Sequence, residues 1–449
     1  MPDSFDLIVI GTGAGGSAPA TKCRKAGWRV AIVDDQPFGG TCALRGCDPK
    51  KVLIGGADLV AWHHRMRGHG AAGDAAIDWA GLMKFKKTFT APVPLDTERS
   101  YEQLGIETLH GEARFSAPDR LVVGDRELEA KHFVIAAGAS PRALGIPGED
   151  CVVTSTTFLE LPKLPPRIAF IGAGYVSMEF AHLVAHAGAK ATIFGRGKPL
   201  THFDEALVDH LTAYTRAIGV RVELGAAVTR VDRSGSGLRV HTDGRDAPGD
   251  EFDLVVHGAG RVPNTARLEL ARAGVRTDAE AAIEVNEYLQ SPGNPRVYAV
   301  GDVTRPKGKL PLTPVAAHEG AIVASNLLRG NTKQPNYRGT PSVVFTVPPL
   351  AGVGLTEAGA RAAGIDVEVK SGDTSAWFSN RRTREPLGMF KTIVDRATGC
   401  VVGAHLLGTN ADEAINLFAL AVRMGLNARE LKQAIYSYPT SSSDVPYML

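Results

Sequence analysis

The strongest chemical signal in the sequence is a pair of cysteines, Cys42 and Cys47, in a glycine-rich stretch at residues 39–51, called the redox segment below. Two thiols this close in sequence can form a disulfide only where the chain bends to bring their Cα atoms within ~4.4–6.8 Å. Cys47 stands at a predicted helix start with lysines nearby, surroundings that lower a thiol pKa from ~8.5 toward ~3.5–7.5. A zinc site would need two more ligands in a second cluster, and the sequence offers no such pair. We therefore predict thiol redox chemistry and no bound metal.

A glycine turn suited to a dinucleotide stands near the start of the chain. An apolar run over residues 5–10 leads into Gly11, Gly13 and Gly16, and a helical pattern and a second strand follow, ending at Asp34. Glycines let the backbone approach a pyrophosphate, a helix N-terminus offers N–H donors, and an acid ~20 residues further on accepts ribose hydroxyls. The arrangement predicts a dinucleotide site on a strand, turn, helix and strand unit.

The same layout recurs in the middle of the chain. A strand at residues 167–171 enters a turn with Gly172 and Gly174, although Ser177 replaces the third glycine and weakens the motif on its own. A helical pattern and another strand, at 190–194, complete the unit. Two such units predict two bound dinucleotides.

The residues after this second strand indicate which pyridine nucleotide binds. Gly195 takes the place of the acid that would bind the ribose 2′-hydroxyl of NAD, and Arg196 and Lys198 follow, residue types that attract a 2′-phosphate. The pattern favours NADP. NAD stays open, because two basic residues can also be ordinary solvated charges.

The remaining pattern completes the outline of an α/β protein. Apolar runs at residues 134–138 and 297–300 predict buried strands that stop at glycine turns, and from about residue 336 strand and helix patterns alternate as in an α+β domain. We predict two Rossmann-like dinucleotide-binding domains and a C-terminal α+β domain. The predicted boundaries are 1–148 for the first part of the first dinucleotide domain, 149–264 for the second dinucleotide domain, 265–335 for the remainder of the first, and 336–449 for the C-terminal domain.

Composition and charge exclude several other classes of protein. Fifty of the 449 residues are glycine, above the usual ~7%, which suits tight turns around ligands. Fifty Lys and Arg against 48 Asp and Glu give a net charge of +2, too balanced for nucleic-acid binding through the net field. No apolar run approaches the ~20 residues of a membrane span, and five cysteines are too few for a stapled secreted scaffold. We expect a soluble, cytoplasmic protein with no nucleic-acid or membrane partner.

Nearly the whole chain resembles the FAD-dependent pyridine nucleotide-disulfide oxidoreductases, the family of glutathione reductase, dihydrolipoamide dehydrogenase and mercuric reductase. Eight segments carry the resemblance and together are highly specific. They are GTGAGG at 11–16, GGTCALRGC at 39–47, GEARF at 111–115, AAG at 136–138, GAGYVSME at 172–179, GRVPNT at 260–265, YAVGD at 298–302 and TPVAAHEG at 313–320. The resemblance implies a homodimer whose C-terminal domain forms the dimer contact.

The resemblance also implies where the cofactors bind. FAD would be held by residues from the first glycine turn, the redox segment and several later segments: Gly11, Gly13, Gly16, Asp34, Gly40, Thr41, Ala113, Gly138, Gly301, Asp302, Val315 and Ala316. NAD(P)H would lie on the second unit, on the flavin face opposite the thiols. The residues assigned to it are Gly172, Gly174, Arg196 and Gly260, and Tyr175 would gate the nicotinamide pocket.

Roles for the thiols follow from the same resemblance. Cys47 would lie against the flavin as the charge-transfer thiolate, and Cys42 would be the exposed thiol that meets the acceptor. Electrons would pass from NADPH through the flavin to the Cys42–Cys47 disulfide, and from Cys42 onward. Glu179 would form an ion pair with Lys50 or Lys51, and the sequence does not distinguish the two.

Two charged residues of the redox segment depart from the family pattern. Asp48 replaces the apolar residue that usually follows the second cysteine, and Arg45 lies between the thiols. We expect Asp48 to disfavour the Cys47 thiolate and Arg45 to compensate or to hold an anionic substrate, unless both are simply exposed and inert.

The C-terminal segment departs further. Disulfide-reducing members of the family carry His-Pro-Thr-x-x-Glu, in which the histidine protonates the leaving thiolate, whereas this chain has Tyr438 and Ser443 at the two dyad positions. A tyrosine ordinarily titrates ~3.5 pH units above a histidine and is a poor base at pH 7. Mercuric reductases share the tyrosine, although they usually end in a cysteine pair that this sequence does not show.

The sequence therefore predicts an FAD-dependent NADPH oxidoreductase of the mercuric-reductase type. Its acceptor would be a small molecule or metal ion, with a thiophilic metal ion preferred. Two alternatives stay open: a disulfide reductase of the glutathione reductase or dihydrolipoamide dehydrogenase type in which Tyr438 replaces the histidine, and a flavin redox sensor with low turnover.

Overall fold

The chain consists of two compact units, each assembled from three stretches of sequence. The computed structural model describes residues 3–243 and 250–449. The first unit comprises Met1–Pro49, Lys86–Arg142 and Arg261–Tyr337, and the second comprises Lys50–Phe85, Ala143–Gly260 and Arg338–Leu449. The finer boundaries expected from the sequence, at residues 148, 264 and 335, stay predictions.

A seven-stranded sheet forms the centre of the first unit. In order across the sheet its strands are Glu107–His110, Val30–Asp34, Asp3–Ile10, Arg126–Ile135, Arg120–Val123 and Ala113–Ala117, and Val297–Ala299 also pairs with Arg126–Ile135. The strand before the first glycine turn and the strand that ends at Asp34 are parallel neighbours. Because parallel strands end at the same edge, Gly11 and Asp34 meet at the carboxyl edge of the sheet, where α/β folds bind nucleotides.

The apolar run near the start of the chain is a strand buried on both faces. Ile8 and Ile10 belong to one core cluster of the first unit, together with Phe133. Leu7 and Val9 belong to a second cluster. Successive side chains of a strand point to opposite faces, so a strand covered on both sides needs apolar residues at every position.

Helices cover this sheet. Those of the first unit are Ala14–Lys25, Gly40–Arg45, Val93–Gln103 and Thr313–Arg329, with 3₁₀ turns at Leu270–Ala273 and Gly301–Val303. Two more helices, Cys47–Met66 and Trp79–Thr90, span the boundaries between stretches assigned to different units. A short antiparallel ladder pairs Ala139–Pro141 with Arg261–Pro263.

In the part of the second unit that the structure describes, the strands form three sheets. The four-stranded parallel sheet has the order Arg221–Leu224, Lys190–Gly195, Arg167–Ile171 and Leu254–His257. A three-stranded antiparallel sheet has the order Val228–Ser234, Gly237–Thr242 and Asp250–Phe252. The five-stranded antiparallel sheet of the C-terminal part has the order Pro341–Val344, Leu350–Gly354, Val401–Leu407, Met389–Asp395 and Val367–Asp373.

The helices of the second unit complete a mixed α/β architecture. They are Ser155–Phe158, Tyr175–His186, Glu205–Ala217, Glu357–Ala362, Phe378–Arg381, Ala411–Met424, Ala428–Gln433 and Val445–Met448, with 3₁₀ turns at Glu149–Cys151 and Ser441–Asp444. The predicted fold class, two Rossmann-like dinucleotide-binding domains and a C-terminal α+β domain, is confirmed, although the strands Arg126–Ile135, Arg120–Val123 and Ala113–Ala117 of the seven-stranded sheet pair antiparallel. Within the described ranges no helix combines the length and the apolar character needed to cross a membrane.

Candidate active site

The redox segment folds into two helices separated by one glycine. Cys42 lies in Gly40–Arg45, Cys47 begins Cys47–Met66, and Gly46 is the residue between the two helices. The turn is tight, since a Cβ on Gly46 would lie 2.9 Å from Thr41 O. It brings the two thiols into hydrogen-bonding contact, with Cys42 partly buried and Cys47 exposed. The bend that a local disulfide requires is therefore present.

The two sulfurs have different electrostatic surroundings. The hydrogen bond with Cys47 and then burial raise the pKa of Cys42, and the charge of Asp48 acts in the same direction. These surroundings favour the protonated thiol at Cys42. The Cys47 sulfur lies 3.5 Å from Thr313 Oγ1, and Thr313 is the first residue of Thr313–Arg329. Because Cys47 also begins a helix itself, two helix N-termini favour negative charge at its sulfur.

Asp48 and Arg45, the two charged residues that differ from the family pattern, have different surroundings. Asp48 Oδ1 lies 3.7 Å from Cys42 Sγ, so its carboxylate contacts the first cysteine. Burial lowers the pKa of Arg45, opposed by the charges of Asp34 and Asp35. Asp48 therefore contacts Cys42 directly, while its expected effect on the Cys47 thiolate stays a prediction.

The first glycine turn has the features of a pyrophosphate cradle. Gly13 is the N-cap of Ala14–Lys25, and no side chain caps that helix. Its backbone is extended, and an added Cβ would meet only Gly40 Cα at 3.8 Å, so nothing in the protein itself requires glycine there. Gly11, in contrast, has φ +105° and an added Cβ would lie 2.3 Å from Ala136 O. An uncapped helix end without a side chain in front of it fits a bound phosphate.

The acid at the end of the second strand is held in place by the turn. Asp34 Oδ2 accepts hydrogen bonds from Thr12 N at 2.8 Å and Thr12 Oγ1 at 2.6 Å, and Oδ1 accepts one from Gln36 N at 2.9 Å. A carboxylate has about four acceptor positions, which leaves about one for a ribose hydroxyl. Thr12, the residue between the first two glycines, was not among the predicted site residues, and its type alone gives no signal for this role.

Predicted FAD residues from distant parts of the sequence form two close pairs in the first unit, and one pair involves this turn. A Cβ on Gly40 would lie 2.5 Å from Gly13 Cα, so the redox segment touches the turn through backbone. A Cβ on Gly301 would lie 3.3 Å from the Cβ of Ala316. Ala113 is buried at the start of its strand. The remaining predicted positions lie in the same unit: Gly16, Thr41, Gly138, Asp302 and Val315.

A buried charged network holds the turn at Gly301. Glu319 Oε2 accepts a hydrogen bond from Gly301 N at 2.7 Å and pairs with Lys309 Nζ at 2.9 Å, and Lys309 also donates to Thr304 Oγ1 at 2.7 Å. Tyr337 donates its hydroxyl to Glu319 Oε1 at 2.6 Å. This network was not predicted from the sequence, because a single sequence gives no sign that Lys309 and Glu319, ten residues apart, form an ion pair.

The second glycine turn has the same arrangement as the first, except that a serine stands at the third glycine position. Gly174 is the uncapped N-cap of Tyr175–His186, and a Cβ there would meet only Gly258 O at 3.6 Å. Ser177, at the third glycine position, is fully buried against Gly258, where an added Cβ would lie 2.1 Å from Ser177 Oγ. The missing glycine of the motif is thus compensated by a glycine on the neighbouring chain segment. Gly172 keeps a left-handed φ of +102°.

The ion pair predicted for Glu179 forms with Lys50. Lys50 Nζ lies 2.5 Å from Glu179 Oε2, and the two side chains are 12% and 0% exposed. Glu179 Oε1 also accepts a hydrogen bond from Phe345 N at 2.8 Å. Lys51 instead pairs with Asp412 at 3.1 Å. Tyr175 is half exposed, with its ring centroid 5.8 Å from Lys50 Nζ.

The basic residues after the strand Lys190–Gly195 are exposed. Lys198 forms an ion pair with Glu205. Arg196 makes no ion pair with any residue that the structure describes. Gly260, the last predicted nucleotide residue, has φ +101° with open space beside it.

The C-terminal dyad positions are not arranged as an acid and base. Tyr438 is 82% exposed. Ser443 and Thr440 form a reciprocal capping box, in which Ser443 N donates to Thr440 Oγ1 and Thr440 N donates to Ser443 Oγ, both at 3.2 Å. Within residues 3–243 and 250–449 no group of three or more His, Cys, Asp or Glu side chains could hold a metal ion.

The fold and the cysteine pair agree with the family comparison. Residues 5–320 match the pyridine nucleotide-disulphide oxidoreductase family, and residues 340–448 match the dimerisation domain of the same family. The chain belongs to this family of FAD-dependent oxidoreductases, which use a pyridine nucleotide and a redox-active disulfide. The resemblance found in the sequence is confirmed, and the C-terminal part is the family's dimerisation domain.

Individual relatives differ in the acceptor that their names imply. The chain is 34% identical to a glutathione reductase of Burkholderia cepacia, over 98% of this chain and 97% of the relative. It is 33% identical to a mercuric reductase of Lysinibacillus sphaericus, over 98% of this chain and 81% of the relative. Among solved structures, the Cu(II) complex of the HOCl-induced flavoprotein disulfide reductase RclA from Escherichia coli superposes with a TM-score of 0.90 at 28% identity, covering 99% of both chains.

Proposed function

We propose that this enzyme oxidises NADPH and uses Cys42 and Cys47 to reduce a thiophilic metal ion, with mercuric ion as the first candidate. The observation that carries this choice is the C-terminal segment, where Tyr438 and Ser443 replace the histidine and glutamate of disulfide-reducing relatives. Ser443 is engaged in a capping box with Thr440 and Tyr438 is exposed, so neither forms an acid–base dyad within the chain. Reducing a metal ion does not require protonation of a departing thiolate.

The reaction balances without any further reactant. NADPH and one proton reduce the Cys42–Cys47 disulfide to a dithiol and leave NADP⁺. The dithiol binds the divalent ion as two thiolates with release of two protons. Two electrons then pass to the metal, which leaves as the neutral atom while the S–S bond re-forms. Bound FAD supplies the two-electron carrier between the nucleotide and the sulfur pair.

The proposed roles of the chain's residues follow from the two sulfur environments. Cys47, between two helix N-termini, is proposed as the thiolate on the flavin side. Cys42, whose pKa is raised by its hydrogen bond with Cys47 and by burial, is proposed as the thiol on the acceptor side. Arg196 supports the choice of NADPH, because it is exposed and has no acidic partner among the described residues. A cytoplasmic homodimer is proposed, consistent with the dimerisation domain.

A second candidate function is the reduction of a small disulfide. It is favoured by the 34% identity with the Burkholderia cepacia glutathione reductase over nearly the full length of both chains. In this case Tyr438 or water would have to protonate the leaving thiolate.

An acceptor screen separates the two. Anaerobic NADPH oxidation by the holoenzyme is measured with mercuric ion, cupric ion, glutathione disulfide and lipoamide. Mercuric ion should give the highest turnover, and Cys42→Ser and Cys47→Ser should abolish it. Cys151→Ser, a change at another partly buried cysteine, is the matched control and should leave it intact. Higher turnover with a disulfide would establish the second candidate, and negligible turnover with every acceptor would point to a redox sensor.

The roles of the two sulfurs have a separate spectroscopic test. Reduction by NADPH without an acceptor should produce a long-wavelength thiolate-to-flavin absorbance band. Cys47→Ser should remove the band, while Cys42→Ser should keep it. A band that depends on Cys42 and survives in Cys47→Ser would reverse the assignment.

A further inference from the structure

The carboxylate of Asp48 contacts the sulfur of Cys42 directly. Asp48 Oδ1 lies 3.7 Å from Cys42 Sγ, and Asp48 is exposed on the second residue of Cys47–Met66. A negative charge in the first turn of a helix interacts favourably with the helix dipole. Any acceptor that reaches the Cys42 sulfur therefore meets a negative charge.

The cations of the redox segment do not cancel this charge. Arg45 is attracted by Asp34 and Asp35. Lys50 is paired with Glu179, and Lys51 with Asp412. Asp48 itself makes no ion pair with any residue in the described ranges.

We propose that Asp48 is a specificity-determining residue, which selects cationic over anionic acceptors at Cys42 through its charge. The inference rests on the proposed function, which makes Cys42 the acceptor-side thiol, and it deepens that function by naming the charge class of acceptor. At separations of ~6 Å in a partly solvated site, a single charge changes the encounter with a cation and with an anion in opposite directions, by about threefold each at low ionic strength. A positively charged metal species encounters Cys42 faster, and a disulfide bearing carboxylates encounters it more slowly.

The test uses three thiol-specific probes of different charge. These are the 2-trimethylammonioethyl, methyl and 2-sulfonatoethyl methanethiosulfonates, which carry a positive charge, no charge and a negative charge. The Cys42 thiolate attacks the probe's sulfur, a mixed disulfide forms, and methanesulfinate leaves with the electron pair. Rates are measured on the FAD-loaded enzyme in a Cys47→Ser background, and mass spectrometry of the Cys42 peptide separates its modification from that of other cysteines.

The measured quantity is the ratio of the cationic to the anionic rate constant. A change in the proton affinity of Cys42 alters all three rates together and cancels in this ratio, so the ratio isolates the effect of charge at the sulfur. Asp48→Asn should lower the ratio about tenfold at low ionic strength, and Asp48→Glu should keep it within about twofold. Raising the salt concentration to about 1 M, where the Debye length falls to ~3 Å, should shrink the difference between the native residue and Asp48→Asn.

Asp96→Asn is the matched control for net charge. Asp96 is an exposed acid in the first turn of Val93–Gln103, and it has no contact with either cysteine. This variant should leave the ratio unchanged. An unchanged ratio in Asp48→Asn, or an equal fall in Asp96→Asn, would overturn the proposal.

The outcome is independent of the choice of acceptor. If Asp48→Asn lowers the ratio while mercuric ion gives no turnover, charge selection stands and the proposed metal acceptor fails. If mercuric ion turns over while the ratio is insensitive to Asp48, the proposed function stands and charge selection fails.

Discussion

Lys50 Nζ lies 2.5 Å from Glu179 Oε2, in a pair whose carboxylate is fully buried, while the neighbouring lysine, Lys51, pairs with Asp412 at the surface. Removing one member of a buried pair leaves an uncompensated charge and costs ~3–5 kcal/mol, whereas an exposed pair contributes ~1 kcal/mol or less. The two adjacent lysines should therefore differ sharply in their importance for stability.

We expect Lys50→Met to lower the free energy of unfolding by ~3–5 kcal/mol and Lys51→Met by no more than ~1 kcal/mol. Urea unfolding of the two holoenzymes, followed by circular dichroism, measures the difference. Equal losses in the two variants would contradict the assignment of the buried pair to Lys50.

Arg196 should determine the preference for NADPH. It is exposed and unpaired within the described ranges, whereas Lys198 is already engaged with Glu205. Arg196→Ala should lower the ratio of kcat/KM for NADPH to that for NADH by roughly 10- to 100-fold, the range of one lost charge-assisted contact of ~1.5–3 kcal/mol. Lys198→Ala should change the ratio less. A larger effect at Lys198 would reassign the phosphate contact.

The Lys309–Glu319 pair should support both stability and FAD retention, because it holds the backbone at Gly301. The two side chains are 3% and 0% exposed. Lys309→Met should cost ~3–5 kcal/mol of unfolding free energy and increase the fraction of FAD released on dilution, measured by flavin fluorescence. Lys307→Met, which removes an exposed lysine from the same loop, is the control and should change neither. Normal FAD retention in a destabilised Lys309→Met would limit the pair to a structural role.

A buried histidine makes stability depend on pH. His182 accepts a hydrogen bond from Val347 N at Nδ1, its Nε2 lies 2.9 Å from Thr215 Oγ1, and burial lowers its pKa from 6.5 to about 3. Between these values the unfolded chain takes up a proton that the folded chain does not. The free energy of unfolding therefore falls as the pH drops from about 6.5 toward about 3, by up to ~1.4 kcal/mol per pH unit.

His182→Gln should flatten that slope, even though the variant is less stable at neutral pH. Urea midpoints between pH 4 and pH 6.5 measure the slope, and His210→Gln, at an exposed histidine of Glu205–Ala217, should leave it unchanged. A slope that is the same in His182→Gln and in the native chain would assign the pH dependence to other groups.

The elements that the sequence predicted well are those whose signals are local. The strands at residues 5–10 and 167–171 are largely apolar runs that stop at glycine turns, and both begin the parallel units expected from them. The strands Leu350–Gly354 and Val367–Asp373 were not predicted. These two strands form by pairing with antiparallel strands that are distant in sequence, and one sequence alone does not show such pairing.

In the candidate site, too, the sequence predicted the features with local signals and missed the contacts between side chains. The cysteine pair and the glycine turns were identified by residue type and spacing. The sequence could not show whether Lys50 or Lys51 pairs with Glu179. The two are adjacent in a helix and differ only in the direction in which their side chains point. The contact of Asp48 with Cys42 depends on the tight backbone at Gly46, which joins two helices that the sequence presented as one motif.

The backbone of Gly40 packs directly against that of Gly13, so the loop with the two cysteines is in close contact with the nucleotide turn. Any side chain on Gly40 would collide with Gly13 Cα, because its Cβ would lie 2.5 Å away. A change that shifts one loop must therefore shift the other. Anyone who transplants this dithiol into a different dinucleotide scaffold would have to carry both loops across together, as one inseparable part.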